Sequence, residues 1–230
     1  MQRIIVFLGP SLEQAAAEKI LTAEYRPPAK RGDITKAVAE GAAIICLIDG
    51  VFHQDNAVAH REILSAVKKG VKVVGASSMG ALRAAEMDTL GMVGIGEVYR
   101  MFRDGELESD DEVALVFDPE TGFSLSEPLV NIRFTLKEAE RQGIINAQDH
   151  AGLLAAARSV FYPSRTYPAI VAAAPDSVDT ETRTRFLAWV ATHACDQKRK
   201  DAVAALECVR EMATQAHERS AQKNPNLKMG

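Results

Sequence analysis

Short apolar runs alternate with helical patterns through the first ninety residues, and this alternation most constrains the fold. Residues 3–8, 22–25, 43–48 and 71–74 read as strands. Helical patterns fill the gaps. Ser11 and Gln14 form a capping box for a helix reaching about Leu21. Asp33 caps a second helix to about Glu40. A third runs from about Asp55 to Lys69 and stops at Gly70, and a fourth spans 79–87. Strands separated by helices of this length make right-handed βαβ units. The fold class expected is therefore α/β: an N-terminal Rossmann-like parallel sheet with helices on both faces, plus a C-terminal helical part. Glycines 91, 94 and 96 read as a flexible turn, 97–103 as a short helix and 113–117 as strand-like. Helices are expected at 127–142, 147–161, 180–194 and 198–215. The domain reading is residues 1–122 as the α/β core, 123–217 as helices packed on it, and 218–230 as a flexible tail.

The chain has 230 residues, enough for a sizeable core without staples. Its formal net charge of −4 disfavours a general nucleic-acid binder, which carries a basic excess. The apolar run Ile4–Leu8 is too short for a signal segment or a membrane span. Cys46, Cys195 and Cys208 have no CxxC spacing, which fits a reducing, cytoplasmic setting without a disulfide framework. No P-loop or dinucleotide fingerprint occurs, so no cofactor is expected.

In parallel sheets, ligands sit outside the carboxyl ends of the strands. The loops to read are therefore Gly9-Pro10-Ser11, the stretch from Pro27 to Asp33, Asp49 to Phe52, and Gly75 to Gly80. The last carries the most information. Ala76-x-Ser78-x-Gly80 matches a small-x-Ser-x-Gly elbow between strand and helix. Small residues two before and two after the serine let the strand and helix pass closely. The register with Ser77 as nucleophile puts Met79 where a small residue is required, so Ser78 is favoured. Met79 N–H is placed to hold an oxyanion. The competing reading is that Ser77 or Ser78 merely caps the helix. A serine nucleophile needs a base. His53 and His60 lie near the sheet edge, and Asp49 is a candidate to orient a base or bind a ligand. His150, His193 and His217 read as helix-surface residues. Arg83 is one turn beyond the serine and can aid an anion, or pair with Glu86. Asp110-Asp111-Glu112 reads as a solvated turn. Arg133 and Arg165 are candidate carboxylate binders.

These motifs together resemble the TfuA-like proteins. The residues that carry the resemblance are Gly9-Pro10-Ser11, Pro27-Pro28 with Gly32-Asp33, and Ile48-Asp49-Gly50-x-Phe52. To these are added Ala57-Val58-x-His60-x-Glu62, Gly75 through Glu86, the three glycines 91, 94 and 96, and Asp110 to Ala114. The resemblance implies a role in peptide backbone thioamidation beside a YcaO-type enzyme, which itself uses ATP. The implied activity is hydrolysis of a thiocarboxylated ThiS-type sulfur carrier, releasing sulfide for that partner. Ser78 would attack the terminal carbonyl, and Met79 N–H with an N–H from the loop of Gly9 and Ser11 would hold the oxyanion. The pattern favours His60 over His53 as base. Asp49 would orient it, Ser77 and Arg83 would contact the substrate, and Arg133 or Arg165 would grip the carrier. Two other readings are a non-catalytic adaptor docking on YcaO and a metal-dependent hydrolase using Asp49, His60 and Asp110 or Asp111. Neither nucleic acid nor membrane is expected as a partner.

Overall fold

The structure, a computed structural model, describes residues 2–52, 56–118 and 121–223, without the side chains of 217 and 219–223. The chain forms two compact units. One holds residues 1–104 and 199–230, the other 105–198.

The first unit is built on a five-stranded sheet of β1 (Ile4–Phe7), β2 (Glu24–Arg26), β3 (Ile44–Leu47), β4 (Lys72–Ala76) and β5 (Val93–Ile95). All pairings are parallel and the order is β2-β1-β3-β4-β5. This is the flavodoxin-like doubly wound order, whose switch point lies between β1 and β3. Side chains alternate between the two faces, and both are buried. Ile5, Phe7, Ile45, Leu47 and Val73 meet α2 (Asp33–Ala39), α3 (His60–Lys68) and α4 (Met79–Met87). Ile4, Val6, Ile44, Cys46, Val74 and Ala76 meet α1 (Gln14–Ala17) and the last helix of the chain. Continuous apolar strands are what burial on two faces requires.

Among the described residues the second unit holds two short 3-10 turns (Asp110–Glu112 and Tyr162–Ser164) and four helices. They are α6 (Leu129–Arg141), α7 (Ala147–Ser159), α8 (Tyr167–Ala173) and α9 (Thr180–His193), with α5 (Glu97–Arg103) preceding them in the first unit. Leu136, Leu153, Ile170 and Phe186 form the centre of their core.

The α/β class and the parallel sheet are as the sequence indicates. Four local readings are corrected. β5 occupies the glycine stretch read as a turn. Residues 113–117 form no strand, and Phe117 makes only an isolated antiparallel bridge to Ser124. Ser11 does not cap α1, because its hydroxyl is drawn to Asp49 and the cap position falls on Glu13. The third helix starts at His60; Asp55 lies outside the described residues. The unit boundaries also differ from 122 and 217. The last helix, α10 (Gln197–Lys223), belongs from Arg199 onward to the first unit. There Ala202, Ala205, Leu206 and Val209 cover one face of the sheet. The same helix takes in the start of the expected tail, and residues 224–230 lie outside the described residues.

Candidate functional site

Four loops meet at the carboxyl edge of the sheet. A Cβ on Gly9 would come within 2.5 Å of Pro28 Cγ, and one on Gly50 within 2.7 Å of Met79 Cγ. Ala29 N–H donates to the Asp49 carbonyl at 2.9 Å, and Val51 N–H to the Ala29 carbonyl at 2.9 Å. The loops after β1, β2, β3 and β4 therefore touch, as the sheet's handedness leads one to expect.

Asp49 sits buried at the switch point. Its Oδ2 accepts from Gly9 N–H at 2.8 Å and Ser11 N–H at 3.1 Å, and its Oδ1 accepts from Ser11 Oγ at 2.6 Å. Three donors satisfy this carboxylate and tie the β1 loop to the end of β3. This corrects two expectations. Gly9 and Ser11 spend their N–H groups on Asp49, so they are not oxyanion donors here. Asp49 orients no histidine among the described residues.

The β4–α4 connection is sharper than a helix cap. Ser77 has φ of 68°, the one positive φ of a non-glycine residue among those described. Ser78 N–H donates to the Ala76 carbonyl at 2.8 Å. A bond from residue i+2 to i across a positive-φ centre is the rare, strained form of the γ-turn, and Ser77 is its centre. A left-handed backbone costs a non-glycine residue roughly 1–2 kcal/mol. Ser77 Oγ is buried with no hydrogen-bond partner among the described residues. Leaving such a group unsatisfied costs about 1–3 kcal/mol. Ser78 stands at the cap position of α4 and makes no capping bond with its side chain. Met79 N–H, in the first turn, has no acceptor among the described residues, while Gly80 N–H donates to the Ile48 carbonyl at 3.2 Å. Two glycines make the turn possible. A Cβ on Gly75 would strike the Gly80 carbonyl, and one on Gly80 would strike the Leu47 carbonyl.

His60 does not meet the serines. Its Nε2 lies 2.8 Å from Glu86 Oε2, which also accepts from Arg83 Nη1 at 2.6 Å. Arg83 Nε donates to the Val58 carbonyl at 2.9 Å. Glu86 is eight residues beyond Ser78 on α4, about 12 Å of helical rise, which explains why His60 bonds to neither hydroxyl. The direct His60–serine contact is thus corrected to a His60–Glu86–Arg83 cluster. His53 lies outside the described residues. His150 pairs with Glu140 at 2.6 Å, and His193 stacks on Trp189 at 5.0 Å.

The remaining arginines belong to the second unit and are engaged there. Arg133 grips both carboxylate oxygens of Glu112 at 2.8 and 2.6 Å. Arg165, fully buried, bonds Asp111 at 2.7 Å and the carbonyls of Ala157 and Val160. Their expected grip on a carrier gives way to this anchoring, and Asp111-Glu112 is a paired turn rather than a solvated one. Among the described residues, no three His, Cys, Asp or Glu side chains come together to hold a metal, so the metal-hydrolase reading has no ligand set there.

Asp201 was missed. From α10 its Oδ2 accepts Val98 N–H at 2.7 Å and so caps α5, holding the end of β5 in place. No local signal marks it, since its partner is 103 residues away.

A family model described as TfuA-like protein matches residues 49–166, just over half of the chain. The chain belongs to the TfuA-like family. The matched stretch of this TfuA-like chain begins at Asp49, contains the serine turn, and runs past Arg165. Membership supports involvement in the YcaO thioamidation system. No curated protein matches the chain. Among the described residues, no helix is long and apolar enough to cross a membrane.

Proposed function

We propose that the protein hydrolyses a thiocarboxylated ThiS-type carrier and releases sulfide for a YcaO-type partner in a reducing cytoplasm. The observation that carries this reading is the β4–α4 turn. Among the described residues it holds Ser77, whose buried hydroxyl has no partner, and Ser78, whose side chain makes no capping bond, at the carboxyl edge of a parallel sheet, beside a helix N-terminus whose Met79 N–H has no acceptor. A carrier thiocarboxylate is an acyl donor whose leaving group is sulfide. Attack by a serine hydroxyl on its carbonyl carbon develops negative charge on oxygen. Met79 N–H and the positive end of α4 stabilise that charge. Arg83, held by Val58 and Glu86, adds a fixed positive charge one turn along α4, offsetting the substrate's anionic character.

The test is direct. The purified protein is mixed with thiocarboxylated carrier, and sulfide and carrier mass are followed. Hydrolysis converts the terminal thiocarboxylate to a carboxylate and liberates one sulfide per carrier. A carrier that stays intact until a YcaO enzyme is added would favour an adaptor and end the hydrolase reading.

A further inference from the structure

We propose that residues 123–125 form an open strand edge that pairs with an extended, apolar peptide segment of another protein chain; this goes beyond the hydrolase reading and does not rest on it. The edge belongs to a small hairpin in the second unit. Phe117 and Ser124 face each other across an antiparallel bridge. Asp118 N–H donates to the Phe123 carbonyl at 2.9 Å, and Leu125 N–H to the Val116 carbonyl at 2.7 Å. These two bonds flank the bridge, so the N–H and C=O of Ser124 point away from the other arm. Neither has a hydrogen-bond partner among the described residues.

Phe123 and Leu125 are two apart on this arm and share one of its faces. They are 73% and 58% exposed, and Phe161 in the same unit is 70% exposed. Glu127 N–H donates to the Arg165 carbonyl at 2.7 Å, which joins the foot of the arm to the turn that follows Phe161. The arm is held before anything binds. Val116 N–H donates to the buried Ser126 Oγ at 2.9 Å, and Arg165 is itself fully buried. An edge fixed in advance loses little freedom on pairing. Exposed edges are usually blunted by charges or proline. Thr121 to Ser126 carries neither.

Three features select the occupant. An unpaired backbone donor and acceptor on an open edge are satisfied by a strand laid beside them. Exposed apolar side chains at alternate positions call for apolar residues at every second position of that strand. The area sets its size. Phe123, Leu125 and Phe161 together offer roughly 400 Å², whereas each partner in a stable complex buries about 800 Å². A second copy of this chain paired through this edge alone falls short of that, and a segment of a few residues fits.

The experiment uses full-length protein and a dye-labelled peptide, Lys-Thr-Val-Thr-Val-Thr-Lys, followed by fluorescence anisotropy. Pairing places a threonine opposite Ser124 and valines opposite Phe123 and Leu125. A second peptide carries N-methyl groups on its threonines, which removes the pairing N–H groups and keeps the side chains. Ser124→Pro removes the outward N–H without touching either hairpin bond. Leu125→Lys puts a charge on the apolar face and keeps its N–H. Both variants are checked for folding by thermal melting. The wild type is expected to bind the plain peptide saturably. Ser124→Pro, Leu125→Lys and N-methylation are each expected to weaken binding roughly tenfold or more. No saturable binding by the wild type would overturn the proposal. Equal binding of the N-methylated peptide, or equal binding by either folded variant, would do the same. A concentration-dependent dimer in sedimentation that Leu125→Lys dissolves would replace the peptide with a second copy of the chain. If Ser124→Pro fails to fold, the N-methylated peptide and Leu125→Lys still decide.

Discussion

Ser77 combines a left-handed backbone with a buried hydroxyl that has no partner among the described residues. Glycine at this position removes both costs while adding unfolded-state freedom worth about 0.5–1 kcal/mol. Ser77→Gly is therefore expected to stabilise the protein by about 1 kcal/mol, a melting-point rise of roughly 2–4 °C for a chain of this size. Calorimetry on the two proteins checks it, and a lower melting point would mean that the turn is not strained. Asp49 has the opposite character. Three donors converge on a buried carboxylate, so Asp49→Ala strands two backbone N–H groups and a hydroxyl. A loss of about 3 kcal/mol or more is expected in a denaturant titration. Cys46 is a third case. Burial, with the charge of Cys208 behind it, pushes its thiol up to about 12. A thiol held protonated is a poor sulfur acceptor. Cys46→Ala is expected to release sulfide from the carrier at the wild-type rate, which an assay of the variant measures directly.

The β4–α4 junction depends on one close approach of strand and helix. Gly80 leaves no room for a Cβ beside the Leu47 carbonyl. Gly80→Ala must push α4 away from β3, and a loss of roughly 3 kcal/mol or more is expected. Urea unfolding gives the value; a change below about 1 kcal/mol would show that the junction yields easily. At this scale the sequence was readable wherever a long periodic or continuous apolar pattern marked an element. β1, β3, β4 and the helices after them belong to that group. β5 reads as a turn in the sequence because its three residues Val93-Gly94-Ile95 sit among glycines, and only pairing with β4 makes them a strand. Pro168 hides α8 in the sequence, yet proline fits the first turn of a helix capped by Thr166. Ser11 carried a sound capping pattern, but the buried carboxylate of Asp49 offers its hydroxyl a stronger, charge-assisted bond.

The two units take their boundaries from long-range packing. The last helix is mildly apolar along one stripe and could serve any neighbouring surface. Only the three-dimensional arrangement gives Ala202, Leu206 and Val209 to the sheet. The same gap between sequence and space divides the candidate site. The serine turn, Asp49 and the Met79 amide were legible because the βαβ rule sends them to one edge. The partners of His60, Arg133 and Arg165 were not, because each is chosen by contacts between elements distant in the chain. The second unit carries its own pH signature. Burial, then the negative charge of Asp196, holds the Glu127 carboxyl above its usual range, with Lys198 opposing. A raised carboxyl favours the folded state most below its unfolded value of about 4.3, and that benefit is lost as pH rises through the folded value. Glu127→Gln is neutral at every pH. It is expected to raise the melting temperature near neutrality and to leave it unchanged near pH 4 (about the unfolded carboxyl value); an equal gain at both would contradict the assignment.

The central claim concerns the molecule acting without its partner. The measurement that reaches it most directly is sulfide release from thiocarboxylated carrier by the purified protein with no YcaO enzyme present. The account predicts catalytic turnover, with one carrier carboxylate formed per sulfide. A carrier that keeps its sulfur through a long incubation with folded protein would contradict it.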